Sequence, residues 1–468
     1  MADPVPILSR RQMLLRSGVG FGHLALLGML ASPGRVRANP LQSPLAPQPP
    51  PFPGRAKRVI FLFMHGGPSH VDTFDYKPLL IRDSGKPLPF EKPRIQFAKT
   101  SNLRRSPWEF RPYGQSGAMV SDLFPLVGSC ADDLCFLKCV HGTNEAHGGA
   151  LLKLHTGSDN AVRPSMGSWI SYGLGSESRN LPSFITINPT TGHGGVGNWS
   201  SAFLPAVHQG TPIGGGVPVE RATINYPQDP TGNPALQRAQ LDLIGAMNRD
   251  HLAQTGPDAA LEARIESFEL AFRMQSEAPE AMDVGRESAA TRRLYGLDDP
   301  RTSSFARQCL LARRFSERGV RFVQVTHGYW DQHSDLTKEH GRLAAEVDRP
   351  IAGLLRDLKS RGLLDETLVI WGGEFGRTPT LQGEDGRDHH PHAFTMWLAG
   401  GGVKAGSSYG VTDDYGFYGV DEKVHVHDLH ATLLALLGLD HERLTYRHAG
   451  RDFRLTDVHG RVVREIFA

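Results

Sequence analysis

The sequence predicts an α/β fold with a mostly parallel central sheet and a helical insertion. Three observations predict it. Short runs of consecutive apolar, β-branched and aromatic residues recur along the chain, the pattern of strands covered on both faces. A long stretch with apolar residues three and four apart separates two such runs, making a strand–helix–strand unit. Polar and titratable residues cluster at the ends of the apolar runs, where parallel α/β sheets carry their ligands.

The first strand is Arg58-Val-Ile-Phe-Leu-Phe-Met64, which ends at the tight loop His65-Gly66-Gly67-Pro68-Ser69. A second is expected at Leu134–Val140, ending at His141-Gly142-Thr143-Asn144, and a third at Ser183–Ile187, leading into a glycine-rich loop with His193. Residues from about 233 to 300 read as a helical insertion. Leu241, Leu243, Ile244 and Met247, then Leu261, Ile265, Phe268, Leu270, Phe272 and Met274, lie at helical spacing, so its apolar face is expected to pack on the core. Val320–Val325 is a strand, Leu343, Val347, Ile351, Leu354 and Leu358 mark one face of a long helix, and Glu366–Trp371 is the strand beyond it. A right-handed crossover with parallel pairing follows. Phe394–Ala399 is a further strand and Asp428–Leu437 an apolar helix.

The N-terminus belongs to a different economy of residues. Ser9-Arg10-Arg11-Gln12-Met13-Leu14 precedes an apolar stretch from about Val19 to Ala31, short for a bilayer span, and Val36-Arg37-Ala38 offers a cleavage site. This reads as a twin-arginine signal over residues 1–38, so the translocase of that pathway is an expected partner and the location is periplasmic or secreted. Cleavage after Ala38 and retention as an anchor both fit. Residues 39–54 (PLQSPLAPQPPPFP within them) read as an extended proline-rich linker, and 55–468 as the folded domain.

Composition narrows the function. With 51 basic and 49 acidic residues the formal net charge is +2, and no basic stripe with interleaved aromatics is present, so nothing points to nucleic acid. Four cysteines in 468 residues make neither a zinc ribbon nor a disulfide scaffold, and buried small hydrophobes are the plain expectation. The 21 histidines carry more, because many fall beside Asp, Glu or Gly in loops.

Two groups lead. Asp331-Gln332-His333 places a carboxylate and an imidazole two apart, on one side of an extended backbone. Asp388-His389-His390-Pro391-His392 gathers three imidazoles and a carboxylate. Alone, the first reads equally as a hydrogen-bonded loop pair and the second as a solvated His-rich loop. With Glu374 between them, both at strand ends, they read as a metal site. A divalent metal is expected, zinc first, with calcium or manganese as alternatives. Arg377 is expected to hold an anionic ester through its fork, a surface salt bridge being its plain alternative.

Seven segments then carry a resemblance: FLFMHGGPSHVDTFDYKP (61–78), GYWDQHSD (328–335), DETLVIWGGEFGRTP (365–379), GRDHHPHAF (386–394), LAGGGVKAGSSYG (398–410), HDLHATLLALLGLDHERLTY (427–446) and GRDFRLTDVHG (450–460). The chain resembles the secreted bacterial family called domain of unknown function 1501, which in turn resembles the sulfatase and alkaline phosphatase superfamily. The resemblance implies an alkaline-phosphatase-like three-layer sandwich. It also implies metal binding by Asp331, His333, Glu374 and His389, with the two-metal site either reduced to one or using Asp72 or Asp75 instead, and a carbohydrate-linked ester as one substrate class. His147 falls near the place of the sulfatase nucleophile, and with Arg377 is the expected catalytic pair. Three departures stand out: Phe375 replaces a metal-binding His, His65-Gly66 replaces Asp-Gly, and there is no Cys-x-Pro-Ser-Arg motif. Thr143, Ser69 or a metal-bound water are the alternative nucleophiles. Two functions remain open: a metal-dependent hydrolase of phosphate or sulfate esters, and a non-catalytic binding or scaffold protein with a degenerate site.

Overall fold

The computed structural model describes residues 43–91, 99–217, 233–256 and 258–468. The twin-arginine segment, the cleavage site and the start of the linker lie outside the described residues.

Nine strands make the main sheet among the described residues. They are β1 (Arg58–Met64), β2 (Leu134–His141), β3 (Phe184–Ile187), β4 (Thr211–Ile213), β5 (Phe322–His327), β6 (Thr367–Gly372), β7 (Phe394–Ala399), β8 (Ser407–Tyr409) and β9 (Val424–His425). Their order is β8-β2-β7-β6-β1-β5-β3-β4, with β9 also on β2. The helices used below are α1 (His147–Thr156), α2 (Met166–Leu174), α3 (Pro234–Thr255), α4 (Ala259–Met282), α5 (Ala289–Tyr295), α6 (Ser303–Glu317), α7 (Leu336–Ser360) and α8 (Val426–Leu436).

The place of β1 explains its unbroken apolar run. Val59, Phe61 and Phe63 pack with α1, α2 and α8 on one face, while Ile60, Leu62 and Met64 pack with α6 and α7 on the other. A strand buried on both faces has no polar side to show. The result is a helix–sheet–helix sandwich. Each fully buried Leu or Val side chain contributes about 1.5–3 kcal/mol, and α7 buries the whole predicted stripe, Leu343, Val347, Ile351, Leu354 and Leu358.

The strand–helix–strand unit is β5-α7-β6. Its strands do not touch, because β1 lies between them: Phe61 pairs with Gln324 on one side and Ile370 on the other, both in parallel. The sheet has one reversed strand, β7, antiparallel to both β6 and β2. That reversal matters for the site. The loop entering β7 lies at the rim where β1, β2, β5 and β6 end.

Two expectations need correction. Residues 43–54 do not stand apart as a free linker: Leu45 is buried, Gln48 N–H donates to Leu174 O, and the amides of Phe52 and Arg55 bond to Gly438 and Leu436. Proline-rich chain lacks internal hydrogen bonds but can still lend its remaining amides to a neighbour. In the insertion, α4 buries Ala263, Leu270, Ala278 and Ala281, whereas α3 does not pack on the core: Leu243, Ile244 and Met247 are exposed. The four cysteines are free and buried. No helix among the described residues is long and apolar enough to cross a membrane.

Candidate metal centre

His147 opens α1, directly after the loop that follows β2. Asp331 and His333 follow β5, Glu374 follows β6, and His389 sits in a short antiparallel pair, Gly376–Arg377 with His389–His390, that leads into β7. These five side chains come together.

The tightest part is a triangle of acceptors. Asp331 Oδ1 lies 3.1 Å from His333 Nε2 and 3.1 Å from His389 Nε2, and the two ring nitrogens are 3.0 Å apart. The other nitrogen of each ring is committed. His389 Nδ1–H donates to Glu145 O at 2.7 Å, and His333 Nδ1–H to Gln382 Oε1 at 2.7 Å. In neutral rings both Nε2 atoms therefore present lone pairs, to each other and to a carboxylate. Such a triangle requires a proton or a cation at its centre. A tetrahedral zinc site with Zn–N of about 2.0–2.1 Å has donor–donor edges of about 3.3 Å, close to what the chain provides.

Asp388, beside it, is fully buried, and neither oxygen has a hydrogen-bond partner among the described residues. One donor atom each from His333, Asp388 and His389 lies within 4.8 Å of the others. A buried carboxylate without donors is costly unless a cation compensates it. These residues thus fit a divalent metal, and Asp388, the carboxylate of the 388–392 cluster, joins them as a ligand candidate beside those that the resemblance implied.

Glu374 takes another place. Its carboxylate accepts His147 Nδ1–H at 2.8 Å and Gly66 N–H at 2.9 and 3.1 Å. It stands behind His147 and orients it. Gly66 has φ +111, and a Cβ there would come within 2.8 Å of Asp331 N, so glycine is required for the loop to reach both. His147 Nε2 faces Asp331 Oδ2 at 3.2 Å. Burial pulls the His147 pKa down, but hydrogen bonds with Asp331 and Glu374 outweigh it and raise it to about 9. Burial opposes ionisation of Asp331 as well; contacts with His147, His333, His389 and Arg377 override it and hold its pKa well below the usual range.

Arg377 does not hold an anion. It is fully buried, and its guanidinium donates to Gly67 O, Arg387 O, Gly66 O, Trp330 O and Asp331 Oδ1. With its fork closed by backbone carbonyls it is a positioning residue for the β1 and β5 loops. Asp72 is likewise not a ligand in this arrangement: Arg387 binds both its oxygens, at 2.7 and 3.0 Å, with Ser69 Oγ–H on Oδ2. Asp75 accepts from Thr412 and pairs with Lys77. Ser69 is buried and committed to Asp72, while Thr143 is exposed. From the His-rich stretch, His390 bonds to Phe417 O and takes no part.

A further group was not read together in the sequence. His65, after β1, and His193, in the loop after β3, lie near His147, with ring centroids at 6.0 and 4.9 Å from it. The signal for His193 was its position at a strand end; His65 had in addition its place where the resemblance expects Asp.

The family model described as "Protein of unknown function (DUF1501)" matches residues 56–467, and the chain belongs to that family. No curated protein matches it. Among solved structures it is similar to the lipoteichoic acid synthase LtaP from Listeria monocytogenes, at 10% identity over 88% of this chain and 78% of that one, TM-score 0.34. It is similar to alkaline phosphatase from the Antarctic bacterium TAB5, at 8% identity over 83% and 99%, TM-score 0.34. It is also similar to the PsFucS1 sulfatase from Pseudoalteromonas sp., at 14% identity over 82% and 68%, TM-score 0.33.

Proposed function

We propose that this member of the DUF1501 family is an exported, metal-dependent hydrolase of phosphate or sulfate esters. The observation that carries the reading is the acceptor triangle of Asp331, His333 and His389 with the donor-less Asp388 carboxylate beside it. Together they would hold one divalent ion, with zinc the best match to two imidazoles and carboxylate oxygen. A bound ion supplies polarisation of an ester oxygen and a water acidic enough to be deprotonated near neutrality.

The chain's own residues would do the rest. The first turn of α1 has no side-chain cap, since Ala146 offers none, so its amides at Gly148 and Gly149 are available to an ester anion. His147, held between Glu374 and Asp331, keeps a proton on Nδ1 and presents Nε2 toward the same rim. Arg377 keeps Asp331 in place without meeting substrate. Export by the twin-arginine route, placing the enzyme in the periplasm or outside the cell, belongs to this proposal and rests on residues 9–38. A carbohydrate-linked ester is one substrate class within it.

A second reading, a binding protein on the same scaffold, is favoured by one observation: the Arg377 fork beside Asp331 is closed. Metal analysis of the purified protein with a panel of aryl and sugar phosphates and sulfates separates the two. Bound metal with turnover that falls at least a hundredfold in His389→Ala supports the hydrolase. Bound metal without turnover supports the binding protein, and a folded protein that takes up no metal overturns the metal reading.

A further inference from the structure

We propose that His65, His147 and His193 form a second cation site, made of imidazoles alone and selective for borderline first-row ions such as zinc or copper. It deepens the reading above and rests on the same rim binding metal. One ring nitrogen from each of the three lies within 4.8 Å of the others. They come from three separate strand ends: the loop after β1, the start of α1 beyond β2, and the glycine-rich loop after β3.

Two features point to a ligand at this triad. Nε2 of His65 is buried with no hydrogen-bond partner among the described residues, and Nε2 of His147, also buried, has only the Asp331 carboxylate at 3.2 Å. The orientation of His147 is also set: Nδ1–H is donated to Glu374, itself fixed by Gly66 N–H, so in the neutral ring it is Nε2 that presents the lone pair. A carboxylate behind a histidine is how metal-binding imidazoles are oriented and made more basic.

His147 Nε2 also faces Asp331 Oδ2, so the carboxylate centre competes for it. That centre has donors enough of its own in Asp331, His333, His389 and Asp388, whereas the triad is incomplete without His147. The two sites differ in hardness. Imidazole nitrogens without carboxylate oxygen suit zinc, copper or nickel and disfavour magnesium or calcium. His193 is exposed, on a loop where Gly194 and Gly195 both have positive φ and Asn198 Nδ2–H holds the His193 carbonyl, so the outer side of the site is open to water or substrate.

This reading assigns His147 a ligand's role, which leaves it unavailable as an attacking nucleophile. The test is metal counting by mass spectrometry on the full-length protein after zinc loading and dialysis, with electron paramagnetic resonance of copper-loaded samples. The expected result is two zinc ions per chain, falling to one in His193→Ala with loss of a three-nitrogen copper signal, and to one in His333→Ala with that signal kept. Circular dichroism confirms that both variants are folded; His193 is at the surface, so its loss leaves the core intact. Two ions and an unchanged copper spectrum in His193→Ala overturn the proposal. A single ion in the wild type, lost only in His333→Ala, overturns it while leaving the hydrolase reading standing. No ion in the wild type overturns both.

Discussion

Asp388 lies with Oδ1 3.7 Å from His333 Nδ1, fully buried, and receives no hydrogen bond on either oxygen among the described residues. The same carboxylate should therefore stabilise the loaded protein and destabilise the metal-free one. Asp388→Asn is expected to raise stability in chelator by about 1–3 kcal/mol, the order of an unsatisfied buried group, and to weaken zinc binding. Thermal melts with and without chelator check it. A variant that destabilises equally under both conditions would mean Asp388 has a structural role only.

Glu374 orients His147 and makes it more basic. Glu374→Gln keeps an acceptor for Gly66 N–H and loses the charge. The expected cost is about 10–100-fold in metal affinity, typical of such supporting carboxylates, with little change in fold. Zinc titration against a competing chelator measures it, and an unaltered affinity would remove Glu374 from the centre.

The Asp72–Arg387 pair is entirely buried and two-pronged. Breaking one side leaves a charge stranded, so Asp72→Ala should cost about 3–5 kcal/mol while bound metal per folded chain stays the same. Denaturant unfolding and metal analysis on one sample decide between this and a ligand role for Asp72.

Asp348 on α7 accepts the amides of Leu126 and Val127 at 3.0 and 2.8 Å, and burial raises its pKa to about 6. The folded pKa exceeds the ordinary 3.8, so the native state binds more protons between these values and stability falls as pH rises through that window. In Asp348→Asn that loss disappears. The stability difference between variant and wild type should shift in the variant's favour by roughly 2 kcal/mol from pH 4 to pH 7, read by urea denaturation at each pH. A shift of opposite sign would mean that the amide bonds to the carboxylate outweigh its burial.

Much of the scaffold was legible because local pattern and final environment agree. β1 is buried on both faces and is written as seven apolar or aliphatic-stemmed residues; α7 buries the stripe its spacing announces. The site was legible only in part. Asp331, His333 and His389 were readable as donors at strand ends, and they meet. Glu374 and Arg377 do reach the site, but a sequence does not show which partners a long side chain finds there; backbone carbonyls of the β1 and β5 loops close on Arg377 and a histidine claims Glu374. Asp388 was readable as the carboxylate of its cluster, but its burial without donors leaves no mark in sequence. The exposed face of α3 escaped for the converse reason: amphipathic spacing says that a face is apolar, not that anything covers it.

On the proposed function, the reversed strand β7 would set when an ion can be acquired. Asp388 and His389 reach the rim only once β7 has docked between β6 and β2, which joins stretches of chain more than two hundred residues apart. A nascent or half-built molecule has no chelating pocket to offer. If the polypeptide crosses the membrane already folded, any ion it carried would be chosen from the cytoplasmic pool, and the metals abundant outside would enter only by exchange.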